Sequence, residues 1–279
     1  TPHCAALNPY GLVDGLVRHA HDNGVRIFGA TRVRRLGNGY AEAVGENGLV
    51  FVTSRHTVVA TEAYSVRLRS RKRSLVPLYS YVVATDPIPV HVWDEIGWAG
   101  RETLSDGRNM VTYAQRTGDG RIVFGGRGAP YRFGSDIHSD SDTSERVHAK
   151  IVETLHELFP QTKGVRISHK WGGPLGVPRD WHPAVNSDRG TGAIHIGGYV
   201  GDGVALSYLA ARVVAARITG NDPEVLALPI NGHTSRRWEP EPLRWLGINA
   251  GLLATNLADL FERRKGRQSR LLRAIMRLF

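Results

Sequence analysis

Apolar residues recur every three or four positions through Leu12, Val13, Leu16, Val17 and Ala20, and the run closes on Gly24. That spacing predicts a helix over 9–23 with Gly24 at its C-terminal end. Short β-rich runs follow at 25–28, 31–36, 40–44, 49–53 and 56–60, broken by Gly and Asn, and predict a small meander returning to a buried strand. Thr57-Val58-Val59-Ala60 has no polar alternation after its first residue, as in a strand covered on both faces. Beyond a basic linker from Arg67 to Arg73 the strands lengthen, at 75–85, 109–115 and 121–125. A helix over 144–159 places Val147, Ile151, Leu155 and Leu158 on one face and stops at Pro160; a strand over 165–172 completes this block. The first pattern returns as a strand over 192–199 and a helix over 204–219 ended by Gly220, after which 242–264 and 267–279 read as helices.

The expected fold is therefore α/β (α+β): a layered α/β domain built from 1–74 and 183–235, an inserted antiparallel-sheet domain over 75–182, and a helical tail over 236–279. With 279 residues, 41% of them hydrophobic, the chain can bury a sizeable core. The 32 glycines and 14 prolines have no period, which excludes collagen-like sequence. A single cysteine, Cys4, cannot form an internal disulfide or a zinc site, and the 12 histidines show no metal-ligand spacing, so no metal and a cytoplasmic location are expected. The start, Thr1-Pro2-His3-Cys4, resembles no signal peptide and lacks a methionine, which suggests that upstream sequence has been lost.

The net charge of +10 is uneven. From Arg236 to Phe279 there are ten basic and four acidic residues, an excess of six. Leu271, Leu272, Ile275, Met276 and Phe279 make an apolar face beside Arg270, Arg273 and Arg277. Such a helix suits either docking on the protein itself or an anionic membrane surface. No nucleic-acid motif accompanies it, so no nucleic-acid partner is expected.

The stretch richest in chemistry is Gly197-Gly198-Tyr199-Val200-Gly201-Asp202-Gly203-Val204-Ala205, a strand passing through glycines into a helix. Glycines admit a ligand close to the backbone, and a helix N-terminus offers unpaired amides and partial positive charge to an electron-rich group. Asp202 stands where it could cap the helix, and the glycines could equally serve a tight turn alone. His195, in mid-strand, reads as a satisfied buried histidine rather than a base, and His182 before Pro183 is no more suggestive.

This stretch resembles the C-terminal flavin-binding segment of the D-amino-acid oxidase and glycine oxidase superfamily of FAD-dependent oxidoreductases. Other segments resemble the family in the same order. Asn8-Pro9-Tyr10-Gly11-Leu12 and Thr31-Arg32-Val33 resemble the stretch passing the FAD adenine, with Val33 as a backbone contact. Val58-Val59-Ala60-Thr61-Glu62-Ala63 resembles the Ala-Thr-Gly-Ala turn near the pyrophosphate, although Glu62 replaces a small residue. Leu75-Val76-Pro77-Leu78-Tyr79-Ser80, Arg121-Ile122-Val123-Phe124-Gly125-Gly126-Arg127, Trp171-Gly172-Gly173-Pro174-Leu175-Gly176 and Trp238-Glu239-Pro240-Glu241-Pro242-Leu243-Arg244-Trp245 resemble the branch related to gamma-glutamylputrescine oxidoreductases.

The resemblance implies a FAD-binding domain, here without its Gly-x-Gly-x-x-Gly unit, and a substrate domain over 75–182. It implies oxidation of a C–N bond in a small-molecule amine or amino acid, with imine hydrolysis and reoxidation by dioxygen to peroxide. FAD contacts are then expected at Val33, Ala60, Thr61, Gly197, Gly198, Tyr199, Gly201, Asp202, Gly203, Val204 and Ala205. Arg127 could hold a substrate carboxylate or lie over the flavin, or be a surface arginine. Tyr79 and Tyr81 share a strand face and could line a pocket or belong to the core edge; Trp171 could wall a cavity or simply pack. Without the phosphate-binding unit the isolated chain is expected to bind FAD poorly, the missing segment being needed in cis or in trans. The alternative is a non-catalytic remnant or interaction module with a basic tail.

Overall fold

The computed structural model describes residues 5–127 and 131–266. Along the chain run α1 (Pro9–Asp22), β1 (Arg32–Gly37), β2 (Tyr40–Gly45), β3 (Gly48–Thr53), β4 (Val58–Val59), β5 (Val76–Thr85), α2 (Val90–Ile96), β6 (Leu104–Ser105), β7 (Thr112–Arg116) and β8 (Ile122–Arg127). Then follow α3 (Glu145–Leu158), β9 (Ile167–Val177), β10 (Ala184–Ser187), β11 (Ile194–Gly197), α4 (Gly203–Thr219), α5 (Pro223–Leu226) and α6 (Leu243–Lys265). They form two compact units, one of Leu7–Val76 with Leu175–Trp238, the other of Pro77–Pro174 with the described residues from Glu239 onward. The predicted tail helix over 267–279 lies outside the described residues.

The first unit holds a three-stranded meander, β1-β2-β3, and a second sheet in the order β10-β11-β4, in which β11 pairs parallel to β4 and antiparallel to β10. Its core joins Val185, Ile194, Tyr199, Ala210, Val213, Val214, Val225 and Ile230, so α4 lays one stripe against this sheet. The helix α1 starts on Asn8, whose side chain accepts from Gly11 N, with Pro9 in the first turn, where its missing N–H costs nothing.

Three expectations for this unit need correction. Residues 25–28 form no strand: Val25 N–H instead closes the end of α1 on Ala20 O, and Gly24, at φ +79°, bonds to His21 O. That double contact is a Schellman cap, and it takes the donor a ladder would have used. The strand expected over 56–60 shrinks to β4, and only one face is covered, with Val59 6% and Val58 41% exposed. Asp202 precedes α4 but makes no side-chain cap, because its backbone (φ −92°, ψ 27°) is not extended as a capping residue's must be. Strand β10 and the 3-10 turn Glu62–Arg67 were too short to show a period.

The second unit is built on a five-stranded sheet in the order β6-β7-β8-β5-β9. Central strand β5 is buried along almost all its length, and its alternation sends Tyr79, Tyr81 and Val83 to one core with Phe124, Ile122, Trp93, Trp98, Ile151 and Leu155. Each fully buried Leu155- or Phe124-sized side chain stabilises the fold by roughly 1.5–3 kcal/mol. The strand expected to stop at 172 continues as β9 to Val177, and the one expected from 109 begins at Thr112. The reason for the late start is Asp259 on α6, whose carboxylate accepts from the amides of Asn109 and Met110 and from Asn109 Nδ2, at 2.8–3.1 Å.

Candidate functional site

In the first unit, β11 runs into a glycine turn that only this composition allows. Gly197, Gly198 and Gly201 have φ of +151°, +79° and +108°, and Val200 is held at +53°. A Cβ on Gly198 would stand 3.1 Å from Pro178 Cγ. The helical ladder of α4 starts with Leu206 N–H donating to Asp202 O, so the amides of Gly203, Val204 and Ala205 lie ahead of it without a side-chain cap. Val204 is 51% exposed beside them, while the Tyr199 ring turns inward and its buried hydroxyl is pushed up to about 12. An uncapped helix start behind a tight glycine backbone fits the electron-rich edge of a flavin, so this segment fits FAD.

Ala60 and Thr61 are exposed where the chain leaves β4, and Thr61 Oγ1 lies 2.9 Å from Ser65 Oγ. The next residue, Glu62, has φ +43°, and its Oε1 accepts from Tyr199 N at 2.9 Å. Burial raises the carboxyl pKa, and the amides of Tyr199, Gly198 and Gly176 pull it partly back. Oε2 is enclosed and has no partner at hydrogen-bonding geometry. A Cβ on Gly176 would collide with that oxygen, and one on Gly197 would touch it at 3.5 Å. Sequence reasoning missed this junction, although Glu62 was visible as a departure from the motif. Val33 stands on outer strand β1 next to a register shift against β2, its side chain exposed.

His195 is buried as expected but not satisfied. Its Nδ1 has no partner among the described residues, and burial first, then the Arg71 charge, lowers its pKa to about 4. His182 donates from Nδ1 to Pro183 O (2.8 Å) and lies 4.3 Å, ring to ring, from His233.

In the second unit, Tyr79 and Tyr81 stack at 6.0 Å, confirming a shared strand face. Their hydroxyls donate to His138 O (3.4 Å) and Ser141 O (2.7 Å), and burial raises the Tyr81 pKa. The buried ring of His148 meets Tyr81 edge-on at 5.3 Å, and its Nε2 lies 3.1 Å from Trp171 O. Thus the Tyr81 ring and the Trp171 carbonyl meet at His148, with Tyr79 stacked on Tyr81; sequence reasoning missed His148 although it sits among the apolar positions of α3. Trp171 keeps 42% of its surface exposed. Arg127 ends β8, its backbone opposite Ser80; its side chain lies outside what is described.

Comparison with known proteins shows a match over residues 1–217 to the family model DAO, FAD dependent oxidoreductase. The chain is similar to Probable oxidoreductase OrdL of Rhizobium meliloti, with 28% identity over 78% of this chain and 48% of that protein. It is similar to gamma-glutamylputrescine oxidoreductase of Escherichia coli, with 27% identity over 77% of this chain and again 48% of the relative. The fold is shared with glycine oxidase of Geobacillus kaustophilus, with a TM-score of 0.61, 18% identity, and coverage of 76% of this chain and 54% of that one. The chain thus spans about half the length of the curated relatives it matches.

Proposed function

The chain belongs to the DAO family of FAD-dependent oxidoreductases, and from that premise we propose that it forms part of an enzyme oxidising a C–N bond in an amine or amino acid. The observation that carries this reading is the glycine turn opening onto the uncapped start of α4. FAD, when bound, supplies the hydride acceptor. The amides of Gly203, Val204 and Ala205 would hold the electron-rich edge of the ring, where the helix dipole favours negative charge by roughly 0.3–2 kcal/mol. Gly197 and Gly198 would give the cofactor room, and Ala60, Thr61 and the Val33 backbone would contribute further contacts.

On the substrate side, Arg127 is assigned to a substrate carboxylate, and Trp171 to a cavity wall. Tyr81 packs against Gly172, next to Trp171, and Tyr79 stacks beside it, with both hydroxyls engaged by the His138 and Ser141 carbonyls. Water hydrolyses the resulting imine, and dioxygen is the proposed final electron acceptor. Similarity to a relative named gamma-glutamylputrescine oxidoreductase supports an amine as substrate.

The proposed partner is a dinucleotide-binding βαβ unit, in cis or in trans. Helix α1 buries none of its residues, leaving Leu12, Val13, Leu16 and Val17 exposed, and β4 pairs with a neighbour on one side only among the described residues. A parallel strand and its helix would cover both. The test is the visible spectrum of the chain purified alone and of the same chain joined to, or mixed with, such a unit from an OrdL-type relative. Yellow protein only with the added unit supports the proposal. Stoichiometric FAD on the chain alone would contradict the need for that unit, and folded but colourless protein in both would favour a non-catalytic interaction module.

A further inference from the structure

The carboxyl of Glu62 is wedged among three backbones that are distant in sequence. It takes the Tyr199 amide at 2.9 Å, across 137 residues; a Cβ on Gly176 would collide with its other oxygen, and one on Gly197 would just touch it. All three strands of chain belong to the same compact unit. Successive amides converging on one point make a concavity for an anion, and here a side chain of the protein fills it. The residue also accepts a left-handed backbone, φ +43°, which is strained for a non-glycine, so the contact offsets a local strain.

We propose that Glu62 is a positioning residue for the flavin: its side chain acts as an internal anion that fixes the Gly197–Tyr199 turn, and with it the start of α4, in the form that receives the cofactor. This rests on the flavin reading of that turn. Glu62 does not touch the reacting atoms; it acts through the Tyr199 amide. The glycine at 176 is then explained by the carboxylate it must admit, not by a turn of its own.

The ionised form makes the stronger bond to the amide, so acidification should loosen the turn. The groups facing the carboxyl are the amides of Tyr199, Gly198 and Gly176 and the Tyr199 hydroxyl, which stays protonated until about 12 and is silent in this range.

The experiment compares FAD dissociation constants for wild type, Glu62→Gln, Glu62→Ala, Gly176→Ala and the Glu62→Ala/Gly176→Ala double variant. All are prepared in the flavin-binding form joined to the dinucleotide-binding unit, with circular dichroism as a check on folding. Alanine at 62 should weaken FAD about tenfold or more, and Gly176→Ala should do similar damage by displacing the carboxylate. The double variant should fall well short of the sum of the two single losses, because the added methyl then meets no carboxylate and presses only on the Ala63 backbone nitrogen at 3.1 Å. Wild-type affinity should fall as the pH drops through the raised carboxyl range, whereas Glu62→Gln should be flat there, a difference that simple packing would not produce. Equal FAD affinity in wild type and Glu62→Ala, additive losses in the double variant, or identical pH profiles would overturn the proposal while leaving the flavin reading intact. A wild-type protein that takes up no FAD would overturn both.

Discussion

Replacing His195 by leucine should flatten the acid sensitivity of the first unit. His195 is 4% exposed in the middle of β11, paired with Val59 on one side and Asn186 on the other, and its Nδ1 finds no partner among the described residues. Burial, reinforced by Arg71 and only partly offset by Asp188, lowers its pKa from 6.5 to about 4. The folded ring therefore stays neutral where the unfolded one takes a proton. The resulting stability is fully present above pH 6.5 and is lost as the pH falls towards 4. At about 1.4 kcal/mol per pH unit, that window is worth about 3 kcal/mol, a large share of a typical domain's stability. The assay is urea denaturation of wild type and His195→Leu at intervals between about pH 7 and pH 4, since other titrating groups cancel in the difference. The wild type should lose about 3 kcal/mol relative to the variant on acidification. Parallel curves, or an NMR titration of the His195 ring near 6.5, would refute the reasoning.

Three further outcomes are expected. Gly172→Ala would place a Cβ 2.5 Å from Tyr81 Cδ1 and 2.9 Å from Ser80 O, so thermal melting should show a loss of about 1–3 kcal/mol in the second unit. Glu241 accepts from Tyr131 Oη (2.6 Å), Gly134 N (3.0 Å) and Arg244 Nη2 (2.9 Å), so Glu241→Ala should cost about 2–3 kcal/mol by denaturation. The same change should bring the Tyr131 hydroxyl, pushed up to about 12 by burial and by Glu241, back towards 10 in an ultraviolet titration. Gly198→Ala forces a side chain into φ +79° against Pro178 and should release FAD from the flavin-loaded protein while its circular dichroism is kept; undiminished flavin content would speak against the turn as the cofactor's seat.

What could be read from the sequence was whatever repeats with a period. The stripe Val147, Ile151, Leu155 gave α3 within one residue at each end, and Gly220 marks the stop of α4, because helix faces and glycine caps are local properties. The glycine turn was legible for the same reason, and so was the family. Strand 25–28 failed because apolar composition does not reveal that Val25 N–H is already spent on capping α1. Asp202 failed because capping depends on backbone angles rather than on residue type. The contacts around Glu62 and His148 were invisible since their partners, Tyr199 and Trp171, are 137 and 23 residues away and touch them through backbone atoms that carry no sequence signature.

The meander carries a practical consequence. Strand β3 is one of the two outer strands of its sheet, exposed along its whole length, and it reads Gly-Leu-Val-Phe-Val-Thr. A flat run of that composition, free of charge and of proline, is a template on which another copy can add a strand, so aggregation should begin there. Lysine in place of Phe51, pointing into solvent, would blunt that edge, and a chain that precipitates on concentration should stay in solution once it is introduced.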